Sequence, residues 1–381
     1  MRSHNHLEKH FPSCSCFLFV AIFFVFLVSC SNKPSITNIA AQRMAKGSTM
    51  GTGYTLRFYA SDDFSESQTL ALFKRVEEEL ALVNRQMSTY DPESELSRFN
   101  AYGKSDWFEV SGDLAEVVEL ANKVSTKTLG AFDVTVGPLV DLWGFGPDGR
   151  PKKVPDAAEV QSALELVGYE TVASRSSPAG LHKQNPKTRV DLSAIAKGHG
   201  VDRVCDLFEA AGIESYFVEI GGEVRTRGSK PDGEPWRVGI QNPTVEKVDA
   251  PLRILELKDL ALATSGNYRN FYFRGGKFYS HTIDPSTGYP VRDRIVSASV
   301  VARECALADA AATAMMTLGV QRGLEVAEKE SWAVFLITLS ENGQMMLAAS
   351  SEFKKHFADF DLSSPSLASE SDKSKVEAAL H

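Results

Sequence analysis

Tyr216-Phe217-Val218-Glu219-Ile220-Gly221-Gly222-Glu223-Val224-Arg225-Thr226-Arg227 is the stretch that decides the fold class, with Trp236-Arg237-Val238-Gly239-Ile240 close behind. It reads as strands at 216–220, 223–227 and 236–240, following one another without a helix between them. Working outward, further strands are expected at 254–257, 270–273, 277–281 and 297–301, and two at 333–339 and 344–348 close the domain. Upstream, 49–59 alternates in the manner of a strand, and a short strand at 190–192 leads into a helix through Val201, Val204, Phe208 and Ala211. The remaining helices stand apart from the strand runs. Phe73, Val76, Leu80, Val83 and Met87 recur at spacings of three and four, and Leu114, Val117, Ala121 and Val124 share one face of a helix over about 113–127. Ser111 is placed to cap that helix, and Gly130 lies just beyond its end. Another helix is expected at 156–167, a small-residue helix at 305–318 and its successor at 321–329. Strands in neighbouring runs, rather than in strict alternation with helices, predict an α+β fold of largely antiparallel sheets with packed helices.

The amino terminus has a different character. A polar start with Arg2 and Lys9 is followed by an almost unbroken apolar run at 17–28, which ends in Leu27-Val28-Ser29-Cys30. That run is short for a permanent span, which needs roughly 20 residues, and its three parts are those of an export signal. Leu-Val-Ser-Cys matches a bacterial lipobox, so 1–29 is expected to be a lipoprotein signal peptide, cleaved before a lipidated Cys30. Residues 30–46 are expected to be a flexible tether, polar and without periodicity from Asn32 to about Arg43. The folded domain is expected over 47–350, and the Ser- and charge-rich tail at 361–381 is expected to be disordered.

Lysine and arginine number 41 against 49 aspartates and glutamates, a formal net charge of −8. That balance argues against a nucleic-acid partner. The densest basic cluster, Arg150-Pro151-Lys152-Lys153, reads as a solvated turn. Of five cysteines, Cys14 and Cys16 leave with the signal and Cys30 takes the lipid, so Cys205 and Cys305 remain, in apolar patterns that suit buried thiols.

Several segments are rich in functional groups. Gly47-Ser48-Thr49-Met50-Gly51-Thr52-Gly53 would let backbone approach a ligand, with Met50 packing on a flat ring or filling the core. Gly144, Gly146 and Gly149 fit G-x-G-x-x-G, but Pro147 lies inside and no strand and helix flank them, which excludes a dinucleotide fingerprint. Trp143 and Phe145 there could wall a planar ligand or form an aromatic turn. Asp191-Leu192-Ser193-Ala194-Ile195-Ala196-Lys197-Gly198 turns into a helix start, where free N–H groups and Lys197 suit phosphate. Asp309 and Thr313 stand one helical turn apart, hard oxygen donors of the kind Mg²⁺ takes, or simply a polar helix face. His281 closes a strand before the turn Asp284-Pro285-Ser286-Thr287-Gly288, and an imidazole is the usual proton acceptor near neutral pH.

Taken together the chain resembles the ApbE family of flavin transferases. The matching motifs, in the family's order, are Thr49-Met50-Gly51-Thr52, Met87-Ser88-Thr89-Tyr90-Asp91, Gly130-Ala131-Phe132-Asp133-Val134-Thr135, Asp191 to Gly198, Glu219-Ile220-Gly221-Gly222-Glu223, Ala263-Thr264-Ser265-Gly266-Asn267-Tyr268, His281-Thr282-Ile283-Asp284-Pro285 and Ala308-Asp309-Ala310-Ala311-Ala312-Thr313. The resemblance implies an α+β fold related to T-fold units. It implies FAD contacts from Met50, Tyr90, Ala131, Phe132, Asp133, Asp191, Lys197 and Ile283. It also implies Mg²⁺ held by Asp309, Thr313 and the backbone carbonyls of Ala312 and Ala194, the last where some members carry threonine.

The activity implied is transfer of FMN from FAD to a threonine hydroxyl of an acceptor protein as a phosphoester, with release of AMP. His281 is the expected base. The implied acceptor is a membrane-bound redox subunit, and the implied location is the periplasmic side of the cell envelope, lipid-anchored to the inner or outer membrane. The alternatives are an FAD pyrophosphatase giving FMN and AMP, which a bulky Tyr90 beside the flavin disfavours, and a non-catalytic FAD-binding lipoprotein.

Overall fold

The computed structural model describes residues 35–39, 42–147, 149–151, 153–243, 251–267, 270–291, 294–340, 342 and 344–363. The expected signal at 1–29, Cys30 and the tail beyond Ser363 lie outside them.

The chain opens with β1 (Ser35–Ile39), β2 (Gln42–Thr49) and β3 (Thr52–Tyr59), then α1 (Glu66–Met87), α2 (Glu95–Ala101), β4 (Phe108–Glu109), α3 (Gly112–Lys127), α4 (Gly137–Leu142) and α5 (Ala157–Leu164). β5 (Val172–Ser176) and β6 (Ala179–Lys183) precede α6 (Ala196–Ala210), β7 (Ser215–Ile220), β8 (Glu223–Arg227), β9 (Trp236–Gln241), β10 (Pro251–Leu257) and β11 (Ala261–Gly266). Then come β12 (Phe271–Arg274), β13 (Lys277–Ser280), β14 (Ile295–Ala302), α7 (Cys305–Glu330), β15 (Ala333–Leu339), β16 (Met345–Ala349) and α8 (Ser351–His356).

Among the described residues, nine strands form one sheet in the order β1-β2-β3-β7-β8-β11-β14-β15-β16. Every neighbouring pair in it is antiparallel. The fold is therefore α+β, as the succession of strands predicts. Alternation decides which face each strand buries. Tyr54, Leu56 and Phe58 of β3 and Tyr216, Val218 and Ile220 of β7 meet Phe73, Val76 and Leu80 of α1 and Val201, Val204 and Phe208 of α6. Under the other half of the sheet, Ala263, Ala298, Val300 and Leu336 pack with α3 and α7. On the opposite face Val224, Leu262, Val301, Phe335 and Ile337 are covered by β9, β10 and Phe353 of α8. Each large side chain so buried stabilises the fold by about 1.5–3 kcal/mol.

The helix ends follow the sequence signals. Ser65 with Gln68 and Asp156 with Glu159 form capping boxes, and the Ser111 hydroxyl accepts the Leu114 N–H. The 305–330 helix is two segments, because Gly319 sits at φ 76° and ψ 175°. Three expectations are revised. The run at 49–59 is broken by a two-residue hairpin turn at Met50 (φ 49°) and Gly51 (φ 72°), both left-handed as the twist of a tight hairpin requires. No strand forms at 190–192. That segment makes one bridge from Arg189 to Val136, and the Asn100 side chain takes both the N–H and the carbonyl of Val190, so no ladder is left to build. The domain begins before residue 47, since β2 starts at Gln42 and pairs with β3 along its length. Tether residues 35–39 and 42–46 are thus part of the sheet. Cys205 and Cys305 are buried free thiols, as expected.

α6 and α7 cross at unusually short range. A Cβ on Gly198 would stand 2.4 Å from the Cys305 carbonyl oxygen and 2.8 Å from Ala306 Cα. Asp202 of α6 accepts the N–H groups of Cys305 (3.0 Å) and Ala306 (2.9 Å), supplying the cap that α7 lacks from its own sequence. Gly198→Ala should therefore force the helices apart and lower stability by about 1–3 kcal/mol, read as a lower urea midpoint. An unchanged midpoint would show that the crossing has slack.

Candidate active site

The crossing sets the chemistry. Lys197, the second residue of α6, extends its ammonium between two carboxylates, 3.5 Å from Asp309 Oδ2 on α7 and 3.4 Å from Glu223 Oε1 at the start of β8. Both acids are almost fully buried. Burial pulls the Lys197 ammonium toward the neutral form, but Asp309 and Glu223 overcome it and hold its pKa above the usual lysine value. Burial raises the Glu223 carboxyl, and Asp309 adds to the rise while Lys197 opposes it. Two carboxylates share one ammonium, and Glu223 Oε2 is buried with no hydrogen-bond partner.

Oxygen donors gather at the same place. The Gly198 N–H, one of the first-turn donors that a helix leaves without an internal partner, donates to Asp309 Oδ2 at 3.1 Å. Thr313 Oγ1 lies 3.0 Å from Ser265 Oγ on β11. Ala312 is fully buried inside the helix, where its carbonyl retains a second lone pair. Lys197 and Asp309 are thus brought together, with Thr313 and Ala312 within one helical turn of Asp309 on α7. No cluster of three His, Cys, Asp or Glu side chains suited to a metal occurs among the described residues, so a cation here would rest mainly on one carboxylate, a hydroxyl and carbonyls.

A second group lines the rim. His281 follows β13, and its Nδ1 lies 3.1 Å from the Asn270 carbonyl oxygen. A carbonyl only accepts, which assigns the proton to Nδ1 and leaves the Nε2 lone pair available. Burial pulls the His281 pKa below the ordinary value. The Asn270 bond opposes this, and the charges of Lys197 and Arg150 reinforce it. The Tyr90 hydroxyl points at the Phe145 carbonyl at 3.5 Å while 67% of the residue is exposed. Burial of its hydroxyl raises the Tyr90 pKa, with Asp191 and then Asp141 adding to the rise. Asp191 Oδ1 accepts from the Ser193 N–H at 2.8 Å.

Other expected contact residues sit deeper. Asp133 is committed internally, to Thr135 N–H (2.7 Å), Thr135 hydroxyl (2.6 Å) and Tyr169 N–H (2.8 Å). Its pKa is raised by burial against those bonds. Phe132 is in the core, with Ala131 packed against it. Ile283 belongs to a satellite core with Leu139, Trp143 and Tyr279. Met50 touches both large cores and reaches the Gly200 backbone of α6. Trp143 is core as well, donating its indole N–H to the Gly288 carbonyl at 2.8 Å, whereas Phe145 turns its edge to His281 at 6.3 Å.

Glu223 and Ser265 lay inside quoted motifs without a role assigned. For Glu223 the available signal was a carboxylate opening a strand directly after Gly221-Gly222.

An antiparallel α+β domain with a lysine held between buried carboxylates at a helix crossing, and a histidine poised at its rim, defines a polar group-transfer site. The chain belongs to the ApbE family, whose profile matches residues 50–336. It is 42% identical over 332 residues to the FAD:protein FMN transferase of Vibrio cholerae, covering 87% of this chain and 96% of that one. The FAD:protein FMN transferase of Haemophilus influenzae is 39% identical, over 86% and 94% of the two chains. The solved flavin transferase ApbE from Vibrio cholerae superposes with a TM-score of 0.75 at 42% identity, over 82% of this chain and 98% of that one. The apo flavinyl transferase ApbE of Pseudomonas stutzeri gives 0.75 at 34% identity, over 85% and 97%.

Removing the shared ammonium should be costly. Lys197→Met is expected to lose about 3 kcal/mol at pH 9, where Glu223 and Asp309 would otherwise face each other as carboxylates. The deficit should narrow toward pH 5, because the Glu223 pKa, raised to about 8 with Lys197 in place and further without it, lets a proton take up the repulsion. Equal deficits at both pH values in urea titrations would show that the carboxylates do not depend on Lys197.

Proposed function

We propose that this protein transfers FMN from FAD to a threonine hydroxyl of an acceptor protein and releases AMP, with Mg²⁺ as its metal. One observation carries the reading: the α6–α7 crossing sets Lys197 between Asp309 and Glu223, with the Thr313 hydroxyl one helical turn beyond Asp309. The names of the relatives agree with it.

The residues fit a hard divalent cation. The orphaned Glu223 Oε2 favours a positive guest, and the oxygen-only donor set suits Mg²⁺ better than a softer metal. Asp309, Thr313 and the carbonyls of Ala194 and Ala312 would hold it. Bound there, Mg²⁺ supplies charge neutralisation to a pyrophosphate.

The chain's own groups do the rest. Lys197 gives a fixed ammonium for the phosphate oxygens as negative charge shifts to the leaving AMP. Met50, Tyr90, Ala131, Phe132, Asp133, Asp191 and Ile283 belong to the segments that shape the FAD site, Tyr90 and Asp191 at its rim. His281 Nε2 takes the proton as the threonine oxygen bonds to the FMN phosphorus and the bridging P–O bond to AMP breaks. Its lowered pKa keeps it neutral, and hence competent, at neutral pH.

The apolar run ending in Leu27-Val28-Ser29-Cys30 supports a lipid on Cys30. That would hold the domain on the periplasmic side of an envelope membrane, where a membrane-bound redox subunit would be the acceptor. Loss of palmitate labelling in Cys30→Ala checks the anchor.

The deciding experiment incubates the protein with FAD, Mg²⁺ and a candidate acceptor domain and follows acceptor mass and AMP. A gain of one FMN that requires metal is expected, whereas AMP without acceptor labelling would identify a pyrophosphatase. Asp309→Ala should abolish transfer, and full activity of that variant in chelator would remove the metal from the scheme. His281→Ala should lower kcat by about 10²–10⁴-fold. The acid limb of kcat/KM should fall below the ordinary histidine value of about 6.5, and a limb above it would contradict the base assignment.

A further inference from the structure

We infer that Arg150 is a positioning residue for His281, acting through Asn270. This rests on His281 as the base. The guanidinium donates from Nη2 to Asn270 Oδ1 at 3.1 Å and from Nη1 to the Gly144 carbonyl at 3.2 Å. It also lies 4.5 Å from the centroid of the Phe145 ring and 4.8 Å from that of Tyr272. One cation therefore ties the glycine-aromatic loop after α4 to the β12–β13 hairpin.

Asn270 is the point of contact with the base. Its side chain takes the Arg150 proton, and its carbonyl takes two more, from the His281 backbone N–H and from Nδ1–H, each at 3.1 Å. The orientation of that one peptide sets both where the imidazole stands and which nitrogen carries the proton. Arg150 is the described side chain that anchors Asn270 from outside its own hairpin. Losing it frees the Asn270 side chain to rotate, weakens the hold on Nδ1–H and lets the Nε2–H tautomer compete, in which the nitrogen facing the substrate has no lone pair to offer.

Arg150 is exposed, as a solvated basic turn predicts, but its guanidinium is committed: it donates to Gly144 and Asn270 and lies over two aromatic rings, an arrangement lysine cannot reproduce. The ring contacts bias the position of the loop without supporting the fold. The charged groups that act on His281 are Arg150 from the loop and Lys197 from α6.

The test pairs kinetics with ¹⁵N–¹H NMR of histidine-labelled full-length protein. In the parent chain the His281 ring should show a single Nδ1–H tautomer. In Arg150→Met, and independently in Asn270→Ala, it should show a mixture. kcat for FMN transfer should fall about 10- to 100-fold, with KM for FAD changed less than about twofold. Arg150→Lys should not restore it. In a His281→Ala background Arg150→Met should cost nothing further. An unchanged His281 tautomer in both variants, or a loss that persists without His281, overturns the proposal. If the parent chain transfers no FMN, the functional reading fails, while the NMR comparison still decides whether Arg150 positions His281.

Discussion

The closest approach of α6 and α7 is the constraint on which the rest of the structure depends. Only a residue without a side chain lets the Gly198 backbone lie against Cys305 and Ala306, and the contact does more than pack two helices. It brings Asp202 to the start of α7, where it satisfies two N–H groups, and it pulls the Gly198 N–H onto Asp309. Arg225 of β8, 2.8 Å from Asp202, ties the same junction to the sheet. The site is therefore a by-product of a packing solution. First-turn N–H groups of each helix are satisfied by a carboxylate of the other, which fixes Asp309 where the ligand site needs it.

That arrangement packs ionisable groups together. The half-buried Lys197 lies between the buried Glu223 and Asp309, and burial drives Glu223 toward its neutral form. A low-dielectric site of this kind is unfavourable when alone and favourable once a cation and an anionic substrate arrive. By contrast, the buried thiols nearby add nothing reactive, since burial first and then neighbouring acids push the Cys305 thiol far up.

How much of this could be read in the sequence depended on whether local pattern or tertiary partner fixed the element. The strands at 216–227 were legible because alternation and a Gly-Gly turn are local. Helix α7 showed its break because the periodicity lapses before Gly319 restarts it. β2 was hidden because its stretch is polar, and what makes it a strand is pairing with β3. β11, Ala-Leu-Ala-Thr-Ser-Gly, lacks β-branched bulk and is held by β8 and β14 on either side. Val190 and Leu192 imitated a strand because both are buried, yet their backbone partners are elsewhere. In the site, Asp309 and Thr313 were visible at helical spacing, and Lys197 at a helix start. Glu223 and Arg150 were not, because a charge on a strand or in a basic turn reads as surface until its neighbours are known.

Gly319 gives the architecture a mechanical property. A continuous helix of 26 residues would be a rod of about 39 Å, carrying any displacement at its far end straight to Asp309. The break falls six residues past Thr313, so the rod is severed just beyond the site. Sequence drift, insertions or contacts around the second segment would be absorbed at that joint, and the geometry between Lys197 and Asp309 is insulated from the part of the helix beyond Gly319.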